Sequence, residues 1–151
     1  MIRAKQAQQE FQDYLAERGT SVDVLTPATA LDAAVAFYRE VRASDCPVEL
    51  DGDMLLCQWG THDWGGGPYF EFDITRQLIT DPEEDEDIRQ LSITFRFTPD
   101  DTLRNLGSGN RWCYTPDGTD EFVEFIRAQP SYVAVVGTPM VDRVYRFEVA
   151  G

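Results

Sequence analysis

The chain has 151 residues, and its 27 acidic side chains against 13 basic ones give it a net charge of −14 at pH 7. Hydrophobic residues make up 42% of the sequence and aromatic residues 12%, which is enough to build a core and excludes a disordered chain. This length predicts one domain spanning residues 1–151, and the negative charge disfavours binding to nucleic acid or to anionic membranes.

Hydropathy and cysteine usage predict a cytoplasmic protein. No apolar stretch approaches the roughly 20 residues that a membrane-spanning helix needs, and residues 1–11 are polar, without the apolar region of a signal peptide. The three cysteines, Cys46, Cys57 and Cys113, are an odd number without a CxxC pair, which favours reduced thiols over a disulfide framework.

Two amphipathic helices are predicted before residue 47. From Ile2 to Arg18 apolar residues recur at helical spacing, and Gly19 follows as a C-terminal cap. A second helix begins after Thr26, a hydroxyl cap that is followed by proline. The apolar stripe of this helix consists of Leu31, Ala34, Val35, Tyr38 and Val41.

Alternating polar and apolar residues then predict strands. They cover Met54–Trp59, Tyr69–Ile79 and Gln90–Phe97, with a glycine-rich turn, Gly60–Pro68, after the first. Such alternation is typical of an antiparallel sheet with one buried and one solvated face. On the solvated face we expect a cross-strand ion pair between Arg96 and either Glu71 or Asp73.

The remaining elements complete an α+β prediction: a mainly antiparallel sheet of about five or six strands, two N-terminal helices, and one helix before the last two strands. The elements predicted after residue 97 are a short strand Arg111–Thr115, a helix capped by Thr119 or Asp117 and ended by Pro130, and closing strands Tyr132–Val136 and Val141–Val149.

The first candidate site is the segment 59–68. It combines Trp59, His62, Asp63 and Trp64 with four glycines between two predicted strands, and His62 is the only histidine. Exposed tryptophans frequently anchor protein interfaces, which favours a recognition loop at the sheet edge. The alternative is that both tryptophans cover the end of the core, while the glycines only turn the chain.

The second candidate site is an acidic segment in which six of seven residues are carboxylates: Asp81, Glu83, Glu84, Asp85, Glu86 and Asp87. The carboxylates are adjacent and lack the alternation and central glycine of an EF-hand, so no metal site is predicted. Two interpretations stay open, a solvated hairpin loop and a docking surface for a basic protein.

Catalytic chemistry has weaker support. Cys57, His62 and Asp63 are the residue types of a cysteine-type enzyme, but Cys57 lies in an apolar strand, where a thiol is usually inert. A zinc site from Cys57, His62 and Cys113 lacks paired ligand spacing. No cofactor-binding motif occurs, and no cofactor is predicted.

The segment 107–113 is the last candidate. The amides of Gly107–Asn110 are suited to hold an anion beside Arg111, but the helix that follows a phosphate-binding loop is not predicted here. We therefore interpret the segment as the entry to a strand whose Trp112 packs inward.

The leading hypothesis is a non-enzymatic acidic protein that docks a basic protein partner. In size, acidity and lack of a catalytic motif the chain is similar to bacterial antitoxin and toxin-immunity proteins, and this resemblance implies a partner such as a nuclease-like toxin. The alternative is a small enzyme or ligand-binding domain with a pocket around His62, Asp63 and the 107–112 loop. A third is a homo-oligomer that pairs through an exposed strand edge.

Overall fold

The structure is a computed structural model that describes residues 4–41, 53–63, 68–79, 88–98, 103, 105–137 and 142–150. Within these ranges lie four α-helices and five β-strands: α1 (Ala4–Glu17), α2 (Pro27–Glu40), β1 (Met54–Asp63), β2 (Pro68–Ile79), β3 (Ile88–Phe97), β4 (Gly109–Cys113), α3 (Thr119–Arg127), α4 (Pro130–Val136) and β5 (Asp142–Ala150). Short 3-10 turns cover Val22–Val24 and Pro116–Gly118.

The strands form one sheet in the order β4-β1-β2-β3-β5. Every neighbouring pair is antiparallel, so the predicted α+β class and antiparallel sheet are confirmed. Strands β4 and β5 lie at the two edges. Among the helices of the described ranges, none has the length and apolar character needed to cross a membrane.

Capping residues in the sequence determine where α1 ends and where α2 begins, as predicted. Gly19 follows α1 with a φ of 74°, a left-handed conformation that glycine adopts without strain. Thr26 caps α2, since its hydroxyl accepts from the amide of Thr29 at 3.3 Å, while the Thr29 hydroxyl accepts from the Thr26 amide at 2.7 Å. Pro27 occupies the first turn of α2, where no amide donor is needed.

The helices pack on one face of the sheet, where alternate apolar residues of β1, β2 and β3 form the core. Rings from α1 and α2 meet there, with the Phe11 and Phe37 centroids 5.0 Å apart. Phe122 of α3 and Val135 of α4 belong to the same buried cluster. We call this side of the sheet the helix face.

The predicted strand Tyr132–Val136 is wrong. These residues form α4, which begins with Pro130 in its first turn, so this proline starts a helix where it was expected to end one. Tyr132 and Val135 are buried, while Val133 and Val136 are exposed, a spacing of three that belongs to a helix. The run of β-branched residues favours a strand only until tertiary packing decides otherwise. Two helices and a single strand therefore close the chain.

Several boundaries also differ from the predictions, three of them near the candidate site. Strand β1 continues to Asp63, so Gly60–Asp63 belongs to a strand and not to a turn. Strand β4 covers Gly109–Cys113, two residues earlier than expected. The N-cap of α3 is Gly118, which has no side chain, so the predicted cap by Thr119 or Asp117 is wrong. The hydroxyl of Thr119 donates instead to the Pro116 carbonyl at 2.9 Å.

Candidate functional site

The sheet side opposite the helices carries polar side chains, and we call it the polar face. Side chains alternate along a strand, so Gln58 and His62 of β1 and Glu71 and Asp73 of β2 lie on this face. No described residue of these strands that points to the polar face belongs to the hydrophobic core cluster. The polar face is therefore the side of the sheet on which a site can form.

A groove of about 530 Å³ lies on the polar face where β4, β1 and β2 run side by side. We call it the polar groove, and its lining includes Gln58, Gly60, His62, Glu71, Asp73 and Asn110. Its volume is within the range of ligand-binding pockets. Two carboxylates, two amides and an imidazole give it a polar lining.

Glycines explain why the groove forms at this place. A Cβ on Gly60 would lie 2.9 Å from the Cβ of Ser108, and one on Gly109 would lie 2.7 Å from Cζ2 of Trp59. Gly107 has a φ of 74°, which turns the chain into β4. The 107–109 loop thus comes close to β1 only because side chains are missing at these positions.

Strand register places three polar side chains in one row across the groove. Gln58 is paired with Asn110 on one side and with Asp73 on the other. The Asp73 carboxylate accepts from Gln58 Nε2 at 3.1 Å and from the Thr94 hydroxyl at 3.0 Å. We call Asn110, Gln58 and Asp73 the acceptor row.

Glu71 links two further groups beside this row. The Nε atom of Arg96 donates to its Oε1 at 3.0 Å, which confirms the predicted pairing of Glu71 with Arg96. The Nε2 atom of His62 lies 3.5 Å from Oε2 of Glu71. Tyr69 packs against both of these side chains: its ring centroid is 5.6 Å from that of His62 and 5.4 Å from Cζ of Arg96.

An exposed aromatic pair adjoins the groove at the sheet edge. Trp112 follows Asn110 by two residues on β4 and pairs in register with Leu56 of β1, which places it on the polar face. Its ring and that of Tyr114 are stacked, with centroids 6.3 Å apart and planes 5° apart. They are 40% and 42% exposed. The prediction that Trp112 packs inward is therefore wrong, because the register of β4 with β1 places this residue on the side of the sheet opposite the helices.

The residues of the predicted recognition loop have different positions. Trp59 lies on the helix face and is 8% exposed, so its ring packs in the core instead of presenting a surface. His62 lines the groove, with 45% of its side chain exposed. Asp63 ends β1, and Trp64 lies outside the described residues.

The acidic segment Asp81–Asp87 also lies outside the described residues. Its flanking residues, Ile79 and Ile88, are paired at one end of β2, whereas Asp63 and Pro68 are paired at the other end. At about 3.3 Å per residue, β2 spans roughly 35 Å. The aromatic segment and the acidic segment are thus attached to the sheet far from each other.

The geometry excludes a cysteine–histidine catalytic pair at the groove. Cys57 is fully buried on the helix face, whereas His62 lies on the polar face. Burial, and to a smaller extent the Asp73 carboxylate, raise the pKa of the Cys57 thiol well above its usual value. Cys113 is buried as well, and its thiol donates to the Thr115 carbonyl at 3.1 Å. In the described part of the chain no group of side chains is arranged to hold a metal ion.

Sequence reasoning missed Gln58, Asp73 and Tyr114 as site residues, whereas Asn110 and Trp112 belong to the 107–112 loop of the alternative pocket, and the structure places part of that loop beside His62 in the polar groove. The sequence signal that could have identified Glu71 and Asp73 is the alternation of polar and apolar residues in β2, which places both carboxylates on the solvated face. Asn110 and Trp112 join them only through the pairing of β4 with β1, and that pairing has no local sequence signature.

Comparison of the chain with protein-family models, with curated proteins and with solved structures found no match.

Proposed function

We propose that this chain is a binding protein that docks a basic protein partner on the polar face, beside strand β4. The exposed stack of Trp112 and Tyr114 is the observation that carries the proposal. Tryptophan and tyrosine are the residues most enriched at energetically dominant interface positions, because each buries a large rigid surface when covered.

Charge supports a basic partner. The chain carries a net charge of −14, and two carboxylates line the groove next to the aromatic pair. Opposite charge accelerates the encounter with a basic partner, whereas like charge disfavours association between two copies of the chain. Trp64 and the segment Asp81–Asp87 remain predicted parts of the interface. An inhibitor of the antitoxin or immunity class fits this description.

Affinity capture from the lysate of the native host tests the proposal with three baits: the unaltered chain, Trp112→Ser, and Val133→Ser as the matched control. Val133 is 64% exposed on α4, in the helix layer. We expect the unaltered chain and the Val133 variant to retain one basic protein that moderate salt releases. We expect the Trp112 variant to lose most of it. Equal capture by all three baits would remove the aromatic pair from the interface.

A second function, binding of a small polar molecule, is favoured by the groove itself, with its volume of about 530 Å³. This function requires His62, and thermal-shift screening with the unaltered chain and a His62→Ala variant tests it. A ligand that stabilises the unaltered chain alone supports this function, and an equal effect on both removes His62 from it. Mass measurement in solution decides the third alternative, a homo-oligomer formed through the β4 edge.

A further inference from the structure

Gly60 forms the floor of the polar groove, and polar side chains surround it. Ser108 lies beside it on the β4 side, since a Cβ on Gly60 would be 2.9 Å from the Cβ of Ser108. Glu71 is paired with Gly60 on the other side, in β2. Gln58 and His62 are two residues away along β1 and point to the same face. These groups enclose a floor of roughly 10 Å by 13 Å with no side chain at its centre.

The exposed groups at this floor both donate and accept hydrogen bonds. Ser108, Asn110 and Gln58 are all exposed. A hydroxyl group donates and accepts, and a carboxamide has one carbonyl acceptor and two N–H donors. The amide nitrogen of Gln58 donates to Asp73 at 3.1 Å, which orients this amide and directs its carbonyl oxygen away from the carboxylate. A ligand with several hydroxyl groups matches such a surface, because each of its hydroxyls is also donor and acceptor.

Charge disfavours an anionic ligand in the groove. The chain has a net charge of −14, and Glu71 and Asp73 line the groove. The guanidinium of Arg96 donates to Glu71 at 3.0 Å, so this carboxylate already has a cationic partner within the chain. Nucleotides, phosphorylated sugars and acidic sugars are therefore repelled, and the groove is suited to a neutral molecule.

The edge of the sheet adds an aromatic surface in line with these polar groups. Ser108, Asn110, Trp112 and Tyr114 follow one another at every second position, and all four are exposed. They extend over roughly 20 Å. The planes of the two aromatic rings are only 5° apart. A sugar ring packs its C–H groups on the electron-rich face of such a ring, while the hydroxyls around its rim reach the polar side chains nearby.

A flat nucleobase matches this arrangement less well than a sugar does. Its donors and acceptors lie along one or two edges, whereas the polar groups of the groove surround Gly60 on several sides. The straight line of exposed side chains from Ser108 to Tyr114 also favours a ligand that is longer than one ring and extended.

We infer that the polar groove and the aromatic pair bind a neutral, extended oligosaccharide, with one sugar ring over Gly60 and the following rings along β4 onto Trp112. This inference rests on the second proposed function, the binding of a small polar molecule in the groove, and names the ligand class of that function.

NMR titration of the full, ¹⁵N-labelled chain tests the inference with neutral linear trisaccharides: cellotriose, mannotriose and xylotriose. Two comparison ligands are sorbitol, an open-chain polyol without a rigid ring face, and adenosine, which carries a flat base. We expect at least one trisaccharide to shift the side-chain amide signals of Gln58 and Asn110 and the indole N–H signal of Trp112, with a dissociation constant on the order of 1 mM. Sorbitol and adenosine should bind about tenfold or more weakly, since sorbitol must be ordered on binding and adenosine leaves polar groups of the groove unpaired.

A matched pair of variants adds a second measurement. Gln58→Ala removes an exposed glutamine that donates to a carboxylate in the groove. Gln9→Ala removes an exposed glutamine of α1 that donates to the Asp13 carboxylate at 2.9 Å, in the helix layer. We expect about a three- to tenfold loss of trisaccharide binding in the first variant, the effect of one neutral hydrogen bond, and the unaltered affinity in the second. If Gln58→Ala fails to fold, Asn110→Ala at the sheet edge takes its place.

Three results would overturn the inference: no shift from any trisaccharide, binding of sorbitol or adenosine as tight as that of the trisaccharides, or the same affinity in Gln58→Ala as in Gln9→Ala. If the thermal-shift screen finds a groove ligand that depends on His62 while no trisaccharide causes a shift, the inference fails and the second function stands. If neither the screen nor the titration finds a ligand, both fail together. Capture of a basic protein through Trp112 is a separate result that decides only the first proposed function.

Discussion

A buried ion pair at the end of the sheet away from the groove gives the most direct test of the fold. Arg76 of β2 and Asp53 are 4% and 0% exposed. Arg76 Nε and Nη2 donate to the two carboxylate oxygens at 2.8 and 2.6 Å, and Nη2 also donates to the Val41 carbonyl. The rings of Phe37 and Tyr38 flank the guanidinium at 4.8 and 5.4 Å.

Replacing Arg76 by methionine keeps most of the side-chain volume and removes every donor. The Asp53 carboxylate and the Val41 carbonyl then lose these donors in a buried place, so we expect the free energy of unfolding to fall by about 3–5 kcal/mol. The double variant Asp53→Leu/Arg76→Met removes both charges together. The Val41 carbonyl then still lacks its donor, and the expected loss is about 1–3 kcal/mol.

Urea denaturation, monitored by tryptophan fluorescence, measures the free energy of unfolding of each variant. The double-mutant cycle then isolates the interaction free energy between Arg76 and Asp53. The control is Arg18→Met, the same substitution at an arginine that pairs with Glu40 at 3.0 Å with both side chains about half exposed. Exposed pairs contribute at most about 1 kcal/mol. If Arg76→Met costs no more than the control, or if the double variant is as unstable as Arg76→Met, the ion pair is not the strongly coupled unit that its burial implies.

Three other predictions follow from single contacts. The Tyr145 hydroxyl is buried and has no hydrogen-bond partner in the described part of the chain, so Tyr145→Phe should leave the free energy of unfolding in urea unchanged or raise it by about 1 kcal/mol; a clear loss would reveal a partner. Burial also raises the pKa of this tyrosine above its ordinary value of 10.0. The folded state therefore holds the proton more tightly, stability falls as the pH rises above 10.0, and the phenylalanine variant should lose less of it over this range. Gly109→Ala would place a Cβ 2.7 Å from Trp59 and should destabilise the chain by about 1–3 kcal/mol with altered tryptophan fluorescence, whereas Gly118→Ala, whose nearest contact is 3.6 Å, should cost less. Because burial raises the pKa of Cys57, a thiol reagent at pH 8 should label it only after unfolding; mass spectrometry that finds label at Cys57 in the native chain would contradict its placement.

The sequence was most informative where structure is decided locally. Helix α2 is specified by Thr26, by the proline after it and by an apolar stripe, all within one segment. The strands β2 and β3 follow from alternation that places aromatic residues on one face. Such signals need no knowledge of distant residues.

The failures arise where distant contacts decide. The segment Tyr132–Val136 consists largely of β-branched residues, yet it forms a helix because Tyr132 and Val135 pack into the core at helical spacing. Gly60 by its local sequence predicts a turn, although it continues β1 and allows close approach of Ser108. In both cases the neighbour that decides the structure lies far away in the sequence.

The candidate site depends on strand register more than on any one motif. Gln58 faces Asn110 and Asp73 only in the observed pairing of β1 with its two neighbours. A slip of one residue in β1 would move Gln58 and His62 to the helix face and place Cys57 among the polar side chains. The apolar residues of β1 oppose such a slip, and so does the buried pair of Arg76 with Asp53, which joins the residue before β1 to β2. The same contacts that stabilise the core therefore hold the acceptor row in place, which is why a site on the polar face can form from residues that carry no recognisable pattern of their own.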